Sequence, residues 1–195
     1  MSKVVKQSAT TIPTKYGSFI ISTYSIDEED KMPLVVLSTH NLDTSNPVNV
    51  RIHSECLTGD LFGSQRCDCG EQLDYALQYI SRYGGVVIYL RQEGRGIGLI
   101  NKLKAYNKQD EGLDTLEANL ALGFHADDRD YGDAIIVLED IGVSQINLLT
   151  NNPDKLNAFN DTNITVSKRI PLIIQPVNEN LEYLKTKKES FGHLL

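Results

Sequence analysis

Short β-branched runs come before any helical pattern in this chain, and that order constrains the fold more than any other feature. SFIISTYSI (18–26), PLVVLSTH (33–40) and VNVRIHSE (48–55) read as strands, separated by polar turns holding Asp, Asn and Pro. The three are expected to pair as an antiparallel or mixed group. From Glu71 the period changes: Leu73, Ala76, Leu77 and Ile80 fall at i, i+3, i+4 and i+7, and Gly84 and Gly85 supply a helix stop. GVVIYLRQ (85–92) reads as a buried strand, and Leu99, Ile100 and Leu103 mark a second helix. Asp114 and Thr115 offer a cap for a third helix running to about Leu122, and Ala134, Ile135, Leu138 and Ile141 mark a fourth. INLLT (146–150) is again a strand, followed by Asn152 as N-cap and Pro153 at the first helical position. ITVSKRIPLII (164–174) reads as the last strand, and NENLEYLKTKKESFGHLL (178–195) as a charged surface helix. Strands first, then helix and strand in alternation, predict an α/β fold: a single domain with a mixed β-sheet flanked by helices. A length of 195 residues suits one domain over 1–195 better than two.

Composition narrows the function classes. The apolar fraction is 41%, and no apolar run approaches the roughly 20 residues that span a bilayer, so no membrane association is expected. MSKVVKQSATTIPTKYG has no apolar core of the secretory kind, which points to a cytoplasmic location. The net charge is -7 and no run of five basic residues occurs, arguing against nucleic acid as a partner. An anionic ligand must therefore be held by a local pocket.

All three cysteines lie in CLTGDLFGSQRCDC, as Cys56, Cys67 and Cys69. An odd thiol count in a reducing compartment does not suit a disulfide framework. The neighbours Thr58, Gly59, Asp60, Ser64, Gln65, Arg66, Asp68 and Gly70 are polar and turn-forming, unlike those of a cysteine that merely fills a core. Three thiolates brought back to one point are a zinc ligand set. A fourth ligand from His53 or His125 would close the site and make it structural; an open position would let it supply hydroxide near neutral pH. Spacing alone leaves both open.

Three further polar clusters stand out. In LRQEGRGIGLINKLKAY (90–106), glycines between a strand and a helix let backbone N–H groups approach an anion, and Arg91 and Arg95 add charge. The turn matches neither the dinucleotide fingerprint nor the P-loop. HADDRDYGD (125–133) sets four acids around Arg129, and LLTNNPDK (148–155) places polar groups after a strand's C-terminal end, where α/β proteins bind ligands. Taken singly, each also reads as a solvated loop or an ordinary helix cap.

Together, RIHSECLTGDLFGSQRCDCGEQL, YLRQEGRGIGLINKLKAY, DTLEANLALGFHADDRDYGDA and LLTNNPDKL resemble GTP cyclohydrolase II, the zinc enzyme that opens riboflavin biosynthesis. The match runs from about Val48 to the end of the chain. The resemblance implies hydrolysis of GTP to 2,5-diamino-6-(5-phosphoribosylamino)pyrimidin-4(3H)-one, formate and pyrophosphate, with Mg²⁺ on the triphosphate. It implies that Cys56, Cys67 and Cys69 hold zinc with water in the fourth position, and that the protein is a homodimer. By the same resemblance Arg51, Ile52, His53, Ser54, Glu55, Gln72, Glu93, Gly94, Arg95, Thr115, Thr150 and Lys155 contact GTP. Asp127 matches the family's proton acceptor, Arg129 its proposed nucleophile toward the nucleotide, and Tyr106 a tyrosine beside the reacting ring. A guanidinium stays protonated, with a pKa above about 12, so charge stabilisation suits Arg129 better than covalent attack. Gly96 and Asp128 depart from relatives that carry a larger polar residue and Glu there. Many relatives are fused to a dihydroxybutanone-phosphate synthase domain, for which this chain has no room. A hydrolase that stops at a formamidopyrimidine intermediate and a non-enzymatic GTP sensor are the two competing readings.

Overall fold

The computed structural model describes residues 3–195. Seven strands, β1 (Val5–Thr14), β2 (Gly17–Ser25), β3 (Leu34–Ser38), β4 (Val48–Ser54), β5 (Val86–Leu90), β6 (Gln145–Leu149) and β7 (Thr165–Ile170), form one sheet in the order β1-β2-β3-β5-β4-β6-β7. The pairs β1/β2, β2/β3 and β3/β5 are antiparallel, whereas β4/β6 and β6/β7 are parallel. The expected mixed sheet is therefore present.

Three details differ from the sequence reading. Val5–Thr14 is a full strand that the hydrophobic pattern does not reveal, because almost all of its side chains are exposed or half-exposed. It is held by backbone pairing, from Val5 opposite Ser25 to Thr14 opposite Gly17, as the edge of the sheet. The N-terminal strands are not one contiguous group: β5 lies between β3 and β4. The last strand ends at Ile170, just before Pro171, which has no N–H to donate to a ladder.

The chain divides into two compact units. The first comprises the segment ending at His53 together with Asp74–Arg91 and Tyr131–Leu172, and it contains the sheet. Its core is built from alternate residues of the inner strands, such as Val48, Val50 and Ile52 of β4, with Ala134, Val137 and Leu138 of α5 (Gly132–Asp140). This is the period-2 and period-3.6 patterning expected of elements with a buried face. The cap reading also holds: Asn152 accepts the Asp154 N–H at 2.9 Å, with Pro153 opening α6 (Pro153–Asn157).

The second unit comprises Ser54–Leu73, Gln92–Asp130 and Ile173–Leu195. It holds α1 (Leu57–Asp60), the first residues of α2 (Cys69–Tyr83), a 3₁₀ turn at Glu93–Gly96, α3 (Gly98–Asp110), α4 (Thr115–Ala121) and α7 (Leu181–Glu189). Asp114 caps α4 through a reciprocal capping box with Glu117. Among the described residues no helix is long and apolar enough to cross a membrane.

Candidate functional site

The second unit brings the three cysteines together. Cys56 precedes α1 as its N-cap, Cys69 begins α2, and Cys67 lies in the turn between them. The three sulfurs lie within 4.8 Å of one another. Cys56 and Cys67 Sγ are 3.6 Å apart, far beyond a disulfide bond and close to the edge, about 3.8 Å, of a tetrahedron with zinc–sulfur bonds of about 2.3 Å. The donor set and its spacing fit zinc. Among the described residues neither His53 nor His125 joins this group: His53 is buried on β4, stacked on Tyr89 with ring centroids 5.4 Å apart, and His125 is exposed.

Charge in this cluster gathers on one sulfur. Hydrogen bonds from Cys67 and then Cys69, with the Lys102 ammonium, draw the Cys56 thiol far below its usual range. The same sharing pushes Cys67 up to about 11, chiefly through its bond to Cys56, and raises Cys69 well above the usual thiol range through its bonds to Cys56 and Cys67. Lys102 Nζ donates to Cys56 Sγ at 3.1 Å, to Thr58 Oγ1 at 2.9 Å and to Glu93 Oε1 at 2.8 Å. Burial opposes the ammonium's charge, but the Cys56 thiolate and Glu93 outweigh it and hold Lys102 protonated. The other Glu93 oxygen accepts the Leu57 N–H at 2.6 Å.

The thiols form part of the wall of a pocket in the second unit. Ser54, Glu55, Glu93, Gly94, Arg95, Tyr106, Thr115 and Arg129 also line it, so eight of the nominated residues converge here with the three cysteines. Asp127 pairs with two of these lining residues, accepting from Arg95 Nη1 at 2.9 Å and Arg129 Nε at 2.8 Å. Burial works against its charge, yet Arg129 and then Arg95 hold the carboxyl below the usual carboxylate range. Gly94 and Arg95 both adopt left-handed backbone, φ 62° in each, which is a strained choice for an arginine. The Asp128 N–H donates to the Arg95 carbonyl at 3.0 Å and latches that turn. A Cβ on Gly96 would lie 3.0 Å from the Cβ of Asp128, so the two positions that depart from the family resemblance face each other.

The remaining nominated residues have other surroundings. Gln72, in the second unit, is buried and donates to Asp68 Oδ2 at 2.6 Å. Arg51, Ile52, His53, Thr150 and Lys155 are buried in the first unit. There Arg51 Nη1 donates to the Leu149 carbonyl at 3.1 Å, Lys155 Nζ to the Ile52 carbonyl at 2.9 Å, and Thr150 Oγ1 accepts the Asn152 N–H at 3.0 Å. The sequence reading missed Lys102, Asp68, Lys187 and Tyr183, the last of which also lines the pocket. Lys102 had a signal, since it stands four residues before Tyr106 and so shares a helix face with it. Lys187, which pairs with the buried Asp68, had none.

A family model described as GTP cyclohydrolase II matches residues 5–171. The chain belongs to the GTP cyclohydrolase II family. It is 51% identical over 193 residues to a GTP cyclohydrolase-2 from Campylobacter fetus subsp. fetus, covering 99% of this chain and 97% of that protein. It is 48% identical over 195 residues to the riboflavin biosynthesis protein RibBA of Staphylococcus saprophyticus subsp. saprophyticus, and spans 49% of that longer relative. A crystal structure of RibBX from A. baumannii, a two-domain 3,4-dihydroxy-2-butanone 4-phosphate synthase, matches at 18% identity with a TM-score of 0.47, covering 90% of this chain and 41% of that one. Membership of the GTP cyclohydrolase II family rests on the family match and on the first of these relatives.

Proposed function

We propose that this chain is a zinc-dependent GTP cyclohydrolase II. It hydrolyses GTP, as its Mg²⁺ complex, to 2,5-diamino-6-(5-phosphoribosylamino)pyrimidin-4(3H)-one, formate and pyrophosphate. As a member of its family it is a hydrolase of riboflavin biosynthesis acting on GTP. The observation that carries the zinc reading is the grouping of the Cys56, Cys67 and Cys69 sulfurs within 4.8 Å, with no histidine in the group among the described residues. Bound there with one position open, zinc supplies water activation near neutral pH. The reaction consumes three waters: one opens the imidazole ring at C8, one releases C8 as formate, and one replaces pyrophosphate.

The chain's own residues divide the rest of the work. Arg95 and Arg129 are permanent cations that already share a carboxylate, and their charge stabilises the phosphate oxygens as pyrophosphate leaves. Asp127, held ionised by the two, accepts a proton from the attacking water or a ring nitrogen. Tyr106, whose hydroxyl is kept neutral by burial, lies 3.4 Å from Thr58 Oγ1 and orients water at the ring. Ser54, Glu55, Glu93, Gly94 and Thr115 form nucleotide contacts along the pocket, with Arg51, Ile52, His53, Gln72, Thr150 and Lys155 as the other contacts. The protein acts as a homodimer of one-domain chains in the cytoplasm.

Incubation of the purified protein with GTP and Mg²⁺ is expected to yield formate and pyrophosphate, and Cys67→Ser to lose formate release. Undiminished formate from zinc-free Cys67→Ser protein would remove the metal from the reaction. A formamidopyrimidine product without formate would identify the truncated hydrolase, and GTP binding without turnover the sensor.

A further inference from the structure

We propose that Lys102 is a positioning residue for the metal centre: its ammonium, fixed by Glu93, donates to the Cys56 sulfur and fixes where that sulfur points and how strongly it donates. The inference rests on the zinc reading of the three thiols. An ammonium has three hydrogens, and each has one acceptor here: Glu93 Oε1 at 2.8 Å, Thr58 Oγ1 at 2.9 Å and Cys56 Sγ at 3.1 Å. Both members of the Lys102–Glu93 pair have only 9% of their side chains exposed. Burying such a pair is costly, and it is tolerated where the remaining hydrogen-bonding capacity is filled. The sulfur fills it on the lysine side.

Glu93 completes the grip. Its second oxygen takes the N–H of Leu57, the residue after Cys56, at 2.6 Å. One ion pair thus holds both the sulfur and the backbone that carries it. The charges also match the task. Three thiolates around a divalent ion would leave one net negative charge, Glu93 adds another in the same buried space, and Lys102 supplies a cation that offsets one of the two. A hydrogen bond from a cation withdraws electron density from the sulfur, so the effect extends beyond geometry to how strongly Cys56 donates.

The test compares wild type, Lys102→Met and Lys102→Arg for zinc affinity, by competition with a chromophoric chelator, and for the thiolate-to-cobalt charge-transfer band after Co²⁺ substitution. Lys102→Met is expected to bind zinc about 10- to 100-fold more weakly. Its cobalt band is expected at longer wavelength, because a sulfur without its donor gives up an electron more easily. Lys102→Arg, which keeps a charged donor, is expected to recover part of both changes. A folded Lys102→Met protein with wild-type affinity and an unmoved band overturns the proposal. Should Lys102→Met fail to fold, Lys102→Gln keeps an N–H donor without the charge and is read by the same two outcomes. Wild-type protein that takes up neither ion through thiolates overturns the zinc reading itself, a result distinct from a failure of Lys102 alone.

Discussion

A Cβ built on Gly70 would lie 2.3 Å from the Gly59 carbonyl oxygen, and one on Gly59 would lie 3.1 Å from Cys67 Sγ and 3.2 Å from Cys56 Sγ. The cysteine loop closes tightly because two glycines let backbone meet backbone and sulfur. Gly70→Ala is expected to destabilise at the upper end of about 1–3 kcal/mol, the cost of forced overpacking, and to weaken zinc uptake. Denaturant unfolding and zinc competition on the same protein check both. Asp127 carries a pH signature. Its carboxyl is held below the usual range by Arg129 and Arg95. The stabilisation is thus fully present above the ordinary carboxylate pKa of about 3.9 and is lost as pH falls through the lowered value. Asp127→Asn should cost about 1.5–3 kcal/mol at pH 7 by leaving two guanidiniums without their anion. The gap to wild type should narrow as pH drops from 5 toward 3. Parallel stability curves over that range would contradict it. At this scale the thiols were legible, since three cysteines in a polar stretch have few other uses. Glu93 was legible as part of a turn, but its ion pair was not, because the partner lies nine residues away in a helix that reads as ordinary.

Helix α7 shows what a charged pattern hides. Its sequence reads as a solvated face, yet Lys187 is 6% exposed and pairs with Asp68, between Cys67 and Cys69. Gln72 holds the other Asp68 oxygen at 2.6 Å, and beyond the helix the Phe191 ring centroid lies 3.7 Å from the Arg95 guanidinium carbon. Lys187→Met is expected to cost about 3–5 kcal/mol, because it strands a buried carboxylate. Lys185→Met should change stability by less than about 0.5 kcal/mol, since that lysine is exposed and meets Glu182 only at 4.0 Å. Equal, small effects in chemical denaturation would return the helix to the surface role its composition suggests. Elements with a buried face were readable from periodicity: β2, β3, β4, β5 and β6, and helices α2 and α5. The edge strand β1 was not, because backbone pairing holds it and leaves no apolar stripe behind.

At the scale of the whole molecule, the sheet's mixed character was predictable, but its order was not. The insertion of β5 between β3 and β4 and the parallel β4/β6 pairing join segments far apart in sequence, and no local pattern encodes such partners. The division into two units was equally hidden, since each is assembled from three separated segments. That division makes metal removal informative. All three thiols belong to the second unit, so zinc should stabilise that unit directly, by about 2.7 kcal/mol at a free concentration one hundred times its dissociation constant. Hydrogen exchange on chelator-treated protein should show the amides of 54–73 and 92–130 losing protection. Buried strand positions such as Val86, Ile88, Ile146 and Leu148, at 0% exposure, should keep theirs. Zinc added back should restore the first set. Exchange that rises equally in strands and cysteine loop would show that the two units open as one, and exchange that does not change would show that the thiols contribute no binding energy to the fold.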